Sequence, residues 1–531
     1  MAALLFVLLI VFPMTTIAEP GTAPVLSAGP VPGAAPVIDH SVVTSQSART
    51  EPLTIDEVLA RIELTHPLLR ATGVERMQAR AKILKALGAW EPKFNNFTEV
   101  DRYQDWNFLS VNHEHTVGFN DSKLNVGHPW GFEVHGGIRN GFGDRLFHNF
   151  SGVIPDVNLF YEQQQMIFGG KFKLLRGFMI NDEYAEYQKA ELAGPMAEIT
   201  VAKKRQDLYL AGAVQYWDWQ VAVKQAEVQK RTLAVAEDRL AQVQGLAKGG
   251  KVAPLDVIEA NQEVQARREA AIAAQRKVEY EQYNLSLFLW EHGEPVIPRP
   301  EWAPEFQGET PLPTKEEIAA YKVEAKEDRP EVRNYYIEAK MNNVDLKLAK
   351  NYLLPKLNLE GGRMTTPGDW AVGVGYRMAA QFEMPLLQRT GRGKVLYAEA
   401  EQQQLVMSQL YAEQQVSVDV DNWLSAIVRA RDRVKAATEA LRLAKTLEEG
   451  ERTRFNMGAS TVLFVNIRER NVVESAYQLY RAQADYAVAR GGMLWARGVL
   501  AKPWPTESLA KYGDPQTAAG LSGLLPVAGR D

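Results

Sequence analysis

Five of the eight histidines fall between residues 113 and 148: His113, His115, His128, His135 and His148. Imidazoles gathered in a short stretch are a residue type suited to a transition metal. His113 and His115, two apart, share a face if the stretch is a strand. The other spacings are irregular and no carboxylate is clearly placed with them, so no metal ligand is assigned. Asp105, Asp121 and Asp144 lie among aromatics and glycines, as in a polar loop. The chain has no cysteine, which excludes disulfides, thiolate metal sites and a lipidated N-terminal cysteine. It carries no Ser/His/Asp nucleophile motif, phosphate-binding Gly-rich loop or HExxH zinc motif, so no catalytic residue and no cofactor are assigned. Sixty basic residues against 65 acidic give a net charge of −5, which argues against a nucleic-acid partner. Trp217, Trp219, Trp423 and Trp495 recur at helical spacing and read as packing.

What remains informative is the set of elements. Residues 1–18 read as a secretory signal peptide, an apolar run followed by Thr16-Ile17-Ala18 but without the usual basic start. No later segment reaches the 18 or more apolar residues of a membrane-spanning helix. An exported chain of this kind is either soluble or crosses a membrane as a β-barrel. One stretch decides between the two. In "WAVGVGYRMAAQFEMPLLQRTGRG" (370–393), Val372, Val374, Tyr376, Met378 and Phe382 alternate with Gly373, Gly375, Arg377, Gln381 and Glu383. Upstream, Leu357 and Leu359 alternate with Asn358 and Glu360, and "TTPGD" turns the chain between the two strands. A lone hairpin is marginal in water. An apolar face opposite a Gly/Arg/Gln/Glu face is instead the pattern of a barrel strand, apolar toward lipid and polar toward a wet interior. Leu357, Leu359, Val372, Val374, Tyr376, Met378 and Phe382 are therefore the candidate lipid-facing positions. Phe132, Val134 and Ile138 form a weaker counterpart in the first half.

The chain is written twice. Pro67 to Pro92 spans 25 residues, and so does Pro330 to Pro355; each interval is an amphipathic helix leading to Pro-Lys-apolar and a strand. "KLLRG" (173–177) answers "MPLLQ" (384–388), and "GGKVAPLDVIEANQEV" (249–264) answers "MGASTVLFVNIRERNV" (457–472). The offset between halves falls from 263 at the prolines (67 to 330) to 208 at Gly250 and Gly458, which leaves about 55 extra residues in the first half, most of them between Pro92 and Leu174. Each half reads helix, β-hairpin, long helix, Gly turn, long helix. The divisions are a Pro/Ala-rich lead at 19–52, a first repeat at 53–290, a Pro-rich linker at 291–328, a second repeat at 329–500 and a tail at 501–531.

The long helices carry heptads. One series is Val257, Val264, Ala271, Val278 and Leu285; another runs from Val465 through Val472, Leu479, Tyr486 and Met493 to Leu500. A second series lies five residues away, about 140° around the helix. It is Ala266, Ala273, Tyr280 and Leu287 on one helix, and Trp219, Ala226, Leu233, Leu240 and Ala247 beside Val214, Val221, Val228 and Val235 on another. Two seams far apart imply a neighbour on each side, as in a ring of helices. Two strands per half cannot close a barrel, so several chains must contribute.

With these residues assembled, the chain resembles the TolC-type outer-membrane efflux proteins over roughly 53–290 and 329–500. The likeness rests on the helix-then-Pro starts, "LLRGF", "MPLLQ", "VQYWDW" (214–219), "GGKVAPLDVIEANQEV" and "RTRFNMGASTVLFVNIRERNVVESAYQLYRAQADYAVA". It implies a mainly α fold with a membrane β segment: a homotrimer, four strands per chain in a 12-stranded outer-membrane barrel, standing on a long α-helical periplasmic barrel. It further implies a passive exit duct that meets a periplasmic adaptor and an inner-membrane pump, in efflux or type I secretion. The turns at Lys248, Gly250 and Lys251 and at Arg454 and Gly458 then mark the periplasmic tip and its adaptor contacts. A periplasmic coiled-coil structural protein and a substrate-selective porin are the alternatives. Three features depart from the family pattern: the absent N-terminal cysteine, the long first-half β segment, and Gly194-Pro195, which is expected to kink or break the first long helix.

Overall fold

The first repeat opens with Thr54, whose hydroxyl accepts the Glu57 amide at 3.3 Å and caps α1 (Ile55–Thr65). Pro67 starts α2 (Pro67–Gly73), and α3 follows (Glu75–Leu87). The helix expected between Pro67 and Pro92 is thus interrupted after Gly73, a poor helix former. Four strands come next: β1 (Lys93–Gln104), β2 (Glu114–His128), β3 (Phe132–Gly143) and β4 (Gln164–Lys173). They lead to α4 (Asp182–Lys248) and α5 (Pro254–Ser286). The connection holds a two-residue hairpin, β5 (Trp290–Glu291) with β6 (Glu294–Pro295), and then α6 (Lys315–Asp328). A reciprocal Thr314–Glu317 capping box starts α6, so the region read as a linker contains a formed helix. The second repeat is α7 (Pro330–Asn351), β7 (Lys356–Thr365), β8 (Tyr376–Glu383), α8 (Arg389–Asn456) and α9 (Val462–Ala496), followed by α10 (Thr506–Tyr512). This computed structural model describes residues 51–104, 114–143, 164–250, 252–306, 308–365 and 376–512.

Two elements correct the sequence reading. α4 runs unbroken through Pro195, as one helix of 67 residues matched by the 68 of α8, each about 100 Å long. Proline removes one backbone donor, but Ala193 and Ala197 on either side of it pack against Ala79 of α3, which holds the helix through the gap. Among the described residues the first half also supplies four strands of the sheet, not two. The sheet order is β1-β2-β3-β4-β7-β8, antiparallel throughout, so the chain gives six strands where four were expected. β1 follows Pro92 as β7 follows Pro355, and β4 leads to α4 as β8 leads to α8. The inserted part is therefore the β2–β3 pair, which accounts for the excess of about 55 residues.

The main core sits midway along α4, where Tyr209, Tyr216 and Trp219 are fully buried among Leu53, Val58, Ile62, Leu285 and Leu289. A second core joins Val416, Val420 and Ile427 of α8 to Tyr486 and Met493 of α9. The tryptophans read as packing do pack: Trp217 and Trp219 belong to the first core, and Trp423 and Trp495 border the second. Where α8 meets α9 the backbones come close, and a Cβ on Gly492 would lie 2.3 Å from the Trp423 ring. Beside it, Gly491 faces open space.

These neighbours make a matched pair. Gly492→Ala should lower stability by about 1–3 kcal/mol through overpacking. Gly491→Ala should be neutral or stabilising by about 0.5–1 kcal/mol, because alanine is the better helix former. Thermal unfolding followed by circular dichroism checks both, and equal midpoints for the two variants would contradict the packing.

Candidate functional site

The pairing registers divide the sheet into two faces. One carries Phe94 and Val100 of β1, Leu124 of β2, Val134 and Ile138 of β3, and Phe168 and Phe172 of β4. Leu357 and Leu359 of β7, and Met378 and Phe382 of β8, continue it. Of these, Leu357 is half-buried and the others are exposed, with Met378 80% accessible. An uncovered apolar surface six strands wide is not a stable boundary with water. It has polar interruptions: Asn96 donates to Ser122 Oγ at 2.8 Å and Asn120 donates to Thr98 Oγ1 at 2.6 Å, while Arg363 of β7 stands in register with Phe168 on the same face. Tyr376 lies in β8, whereas Val372 and Val374 fall outside the described residues.

The opposite face is charged and hydrogen-bonded. Arg139 clasps Asp121 with both guanidinium arms, and Lys123 reaches the same carboxylate at 2.6 Å. The Arg139 guanidinium also lies 4.1 Å from the centre of the Phe119 ring. Asn125 donates to Glu133 at 2.8 Å, and Lys356 pairs with Glu383 at 3.1 Å. Among the described residues His128 and His135 do not converge. His128 stacks on Phe132, and His135 belongs to the other face of the sheet. His113 and His148 fall outside the described residues.

The helices form an arc with two open sides. Away from the sheet, α4 packs between α5 and α9, and α9 packs on α8; nearer the sheet, α4 lies between α3 and α7, and α7 packs on α8. Interior helices have both seams covered. On α4, Trp219 and Val221 are buried and Val228, Leu233 and Leu240 half-buried. On α5 only one seam is covered. Val264, Val278 and Leu285 are buried, while Ala266, Ala273, Tyr280 and Leu287 are exposed. The other open side is α8, whose Leu396, Tyr397, Met407, Leu410, Tyr411 and Val418 are all exposed.

At the end remote from the sheet, both helix pairs turn on a glycine. Gly250 has φ +71° and Gly458 φ +74°, a region that glycine enters without penalty. At α8 the turn is a complete Schellman motif: the Gly458 amide donates to the Phe455 carbonyl and the Ala459 amide to the Arg454 carbonyl, each at 2.9 Å. Lys248 is the exposed last residue of α4, and Lys251 lies outside the described residues. Arg454 is exposed, with its guanidinium 3.4 Å from the Ala459 carbonyl and 3.9 Å from Glu451. Its side chain therefore touches the turn as well as solvent.

About three helical turns, or ~16 Å, from these glycines lies a group that sequence reasoning missed. Arg239 of α4 reaches Asn466 at 2.7 Å and Glu469 of α9 through both guanidinium arms. Arg452 of α8 approaches the same glutamate at 3.4 Å. The next residue of α9, Arg470, pairs with Glu263 of α5, which also accepts from Arg267 at 2.7 Å. Three residues of α9, Asn466, Glu469 and Arg470, thus tie three other helices together. Burial pushes the Glu263 carboxyl up, but hydrogen bonds from Arg470 and Arg267 outweigh it and hold the group below its ordinary range. A signal was available. Arg239 and Glu469 each lie four residues beyond a valine of a heptad series (Val235 and Val465), on a helix face where a solvated charge does not belong.

No family model and no curated protein matches the chain. Solved structures do. The outer membrane channel CmeC of Campylobacter jejuni is similar at TM-score 0.61 and 12% identity, over 93% of this chain and 96% of that one. CusC, whose structures follow folding and transmembrane channel formation, is similar at TM-score 0.60 and 16% identity, over 83% of this chain and 91% of that one. The open state of the MtrE outer membrane channel of Neisseria gonorrhoeae is similar at TM-score 0.56 and 16% identity, over 84% and 88%. Identities this low establish the fold, and the fold is that of the TolC-type outer-membrane efflux channels.

Proposed function

We propose that the chain is an outer-membrane exit duct, trimeric, passing substrates from an inner-membrane pump and its periplasmic adaptor to the cell exterior. The observation that carries this reading is the coincidence of an uncovered apolar sheet face with an arc of helices open on two apolar sides. The sheet face fits lipid. The open sides of α5 and α8 fit neighbouring copies, and four helices in cross-section per chain fit a ring of twelve. A periplasmic coiled-coil structural protein explains the helices but leaves the apolar sheet face in water. A substrate-selective porin explains the sheet but gives no use to helices about 100 Å long. The duct needs no catalytic residue and no cofactor.

In this reading the turns at Gly250 and Gly458 are the periplasmic tip and its adaptor contact. The ion pairs of Arg239, Glu263, Glu469 and Arg470 hold the four helices of one copy together just inside it. Moving the α8–α9 pair relative to α4 and α5 requires breaking them.

Three outcomes test the proposal. Met378→Arg should reduce insertion, because arginine facing mid-membrane lipid costs about 2–4 kcal/mol. Ala379→Arg, on the other face, should be tolerated; equal loss of outer-membrane trimer in both would refute the face assignment. Arg454→Glu should impair drug or protein export at unchanged trimer level, and normal export at normal abundance would remove Arg454 from the contact. The third outcome concerns pH. Because the Glu263 carboxyl is depressed in the folded chain, its stabilising link is complete above the unfolded value of about 4.3 and is lost as pH falls through the lower folded value. Relative to the intrinsic exchange rate, which itself falls on acidification, protection of the amides across 463–473 should drop as pH falls in the wild type. Glu263→Gln should show faster exchange already at neutral pH and a smaller acid response.

A further inference from the structure

We propose that the β2–β3 insertion widens the membrane wall to six strands per copy, with β1 of one copy pairing with β8 of the next, so that three copies close an eighteen-stranded barrel. The inference rests on the trimeric duct reading above and departs from the twelve strands implied by the family resemblance. Four observations carry it. First, all six strands belong to one continuous sheet, with β1 and β8 at its edges. An even number of antiparallel strands leaves the two edges running in opposite directions, so copies joined edge to edge form an antiparallel wall without a parallel seam. Second, the edge strands lie at the two open sides of the helix arc: β1 continues from α3, and β8 leads into α8. Closing the ring of helices brings these same edges together.

Third, the edges are complementary in charge. The polar face of β1 carries Lys93 near the helix end; the matching alternation of β8 has Glu383 at the same end. Antiparallel opposition sets Lys93 near Glu383, with opposite signs. On the apolar face, Phe94 and Val100 meet a strand bearing Met378 and Phe382.

Fourth, the arcs match. Strands about 4.8 Å apart and tilted about 40° each occupy about 6 Å of circumference. Six therefore span about 37 Å, whereas four span about 25 Å. Four helices packed 8–10 Å apart span about 36 Å. Six strands continue the helical wall with no taper. Three copies then give a barrel of about 35 Å backbone diameter, against about 24 Å for twelve strands at the same tilt. The barrel is consequently no narrower than the tunnel, and selection by size falls to the tip.

The absence of native cysteine makes a disulfide test clean. Thr98→Cys, combined in turn with Met378→Cys, Ala380→Cys or Phe382→Cys in the full chain, should give covalent dimers and trimers on a non-reducing gel for at least one pair. Failure of all three pairs in a correctly inserted trimer would overturn the seam. A cryo-electron microscopy map of the same trimer in lipid nanodiscs should show eighteen strands. A trimer whose wall has twelve strands, with one hairpin of each copy outside it, would overturn this inference and leave the duct intact. A particle that is not trimeric would overturn both.

Discussion

A helix with two apolar seams about 140° apart cannot satisfy both against a single partner, and the rest of this structure follows from that constraint. One seam buried against one neighbour gives a coiled coil. Two seams force a curved wall in which each interior helix has a neighbour on either side. α4 meets the condition within the chain, since α5 or α3 covers one side and α9 or α7 the other. α5 and α8 do not, and their exposed stripes are the uncovered halves of the same pattern. The sheet obeys the equivalent rule in a different currency. Its interior strands exhaust their backbone hydrogen bonds on two neighbours, and within one copy β1 and β8 are each left with an unpaired edge.

This explains why so much of the architecture was legible. Seams are written as heptads, sheet faces as alternation, and the junctions between them as Pro-Lys and Leu-Leu pairs, each of which recurs in both halves. The Val257 and Val465 series, the 356–383 hairpin and the turns at Gly250 and Gly458 all follow from such local patterns. What stayed hidden depended on partners distant in sequence. β2 alternates poorly, with Asn120, Ser122 and Leu124 on one face and Phe119, Asp121 and Lys123 on the other. Its strand identity comes from pairing with β1 and β3. Pro195 signals a break by every local rule, yet alanine packing on α3 carries the helix across it. α6 hides in proline-rich surroundings because its start depends on a single capping box.

The ion pairs near the tip were invisible for the same reason, and their energetics bear on what they do. Arg239, Glu469, Glu263 and Arg267 are all buried, so each costs desolvation that the Coulomb attraction only partly returns. The network is also incomplete, because the buried Arg267 Nη2 has no partner among the described residues. Leucine or valine at these positions would continue the seams with less desolvation. A designer seeking only stability would not place charges there.

What charged pairs provide in exchange is direction and reversibility. Apolar seams slide by whole heptads at little cost, because one valine layer resembles the next. A bidentate Arg239–Glu469 pair accepts a single register, so it fixes where α9 stands against α4 without adding much to the hold. Once separated, both groups regain hydration, which lowers the cost of the open arrangement relative to exposed leucine. The same chain shows the contrast at its middle, where Trp219, Tyr216 and Leu285 form a dry core with no such exchange to make. The chain therefore carries its dry apolar core at its waist and its exchangeable charged pairs near the turns at Gly250 and Gly458, where an added Cβ would meet nothing.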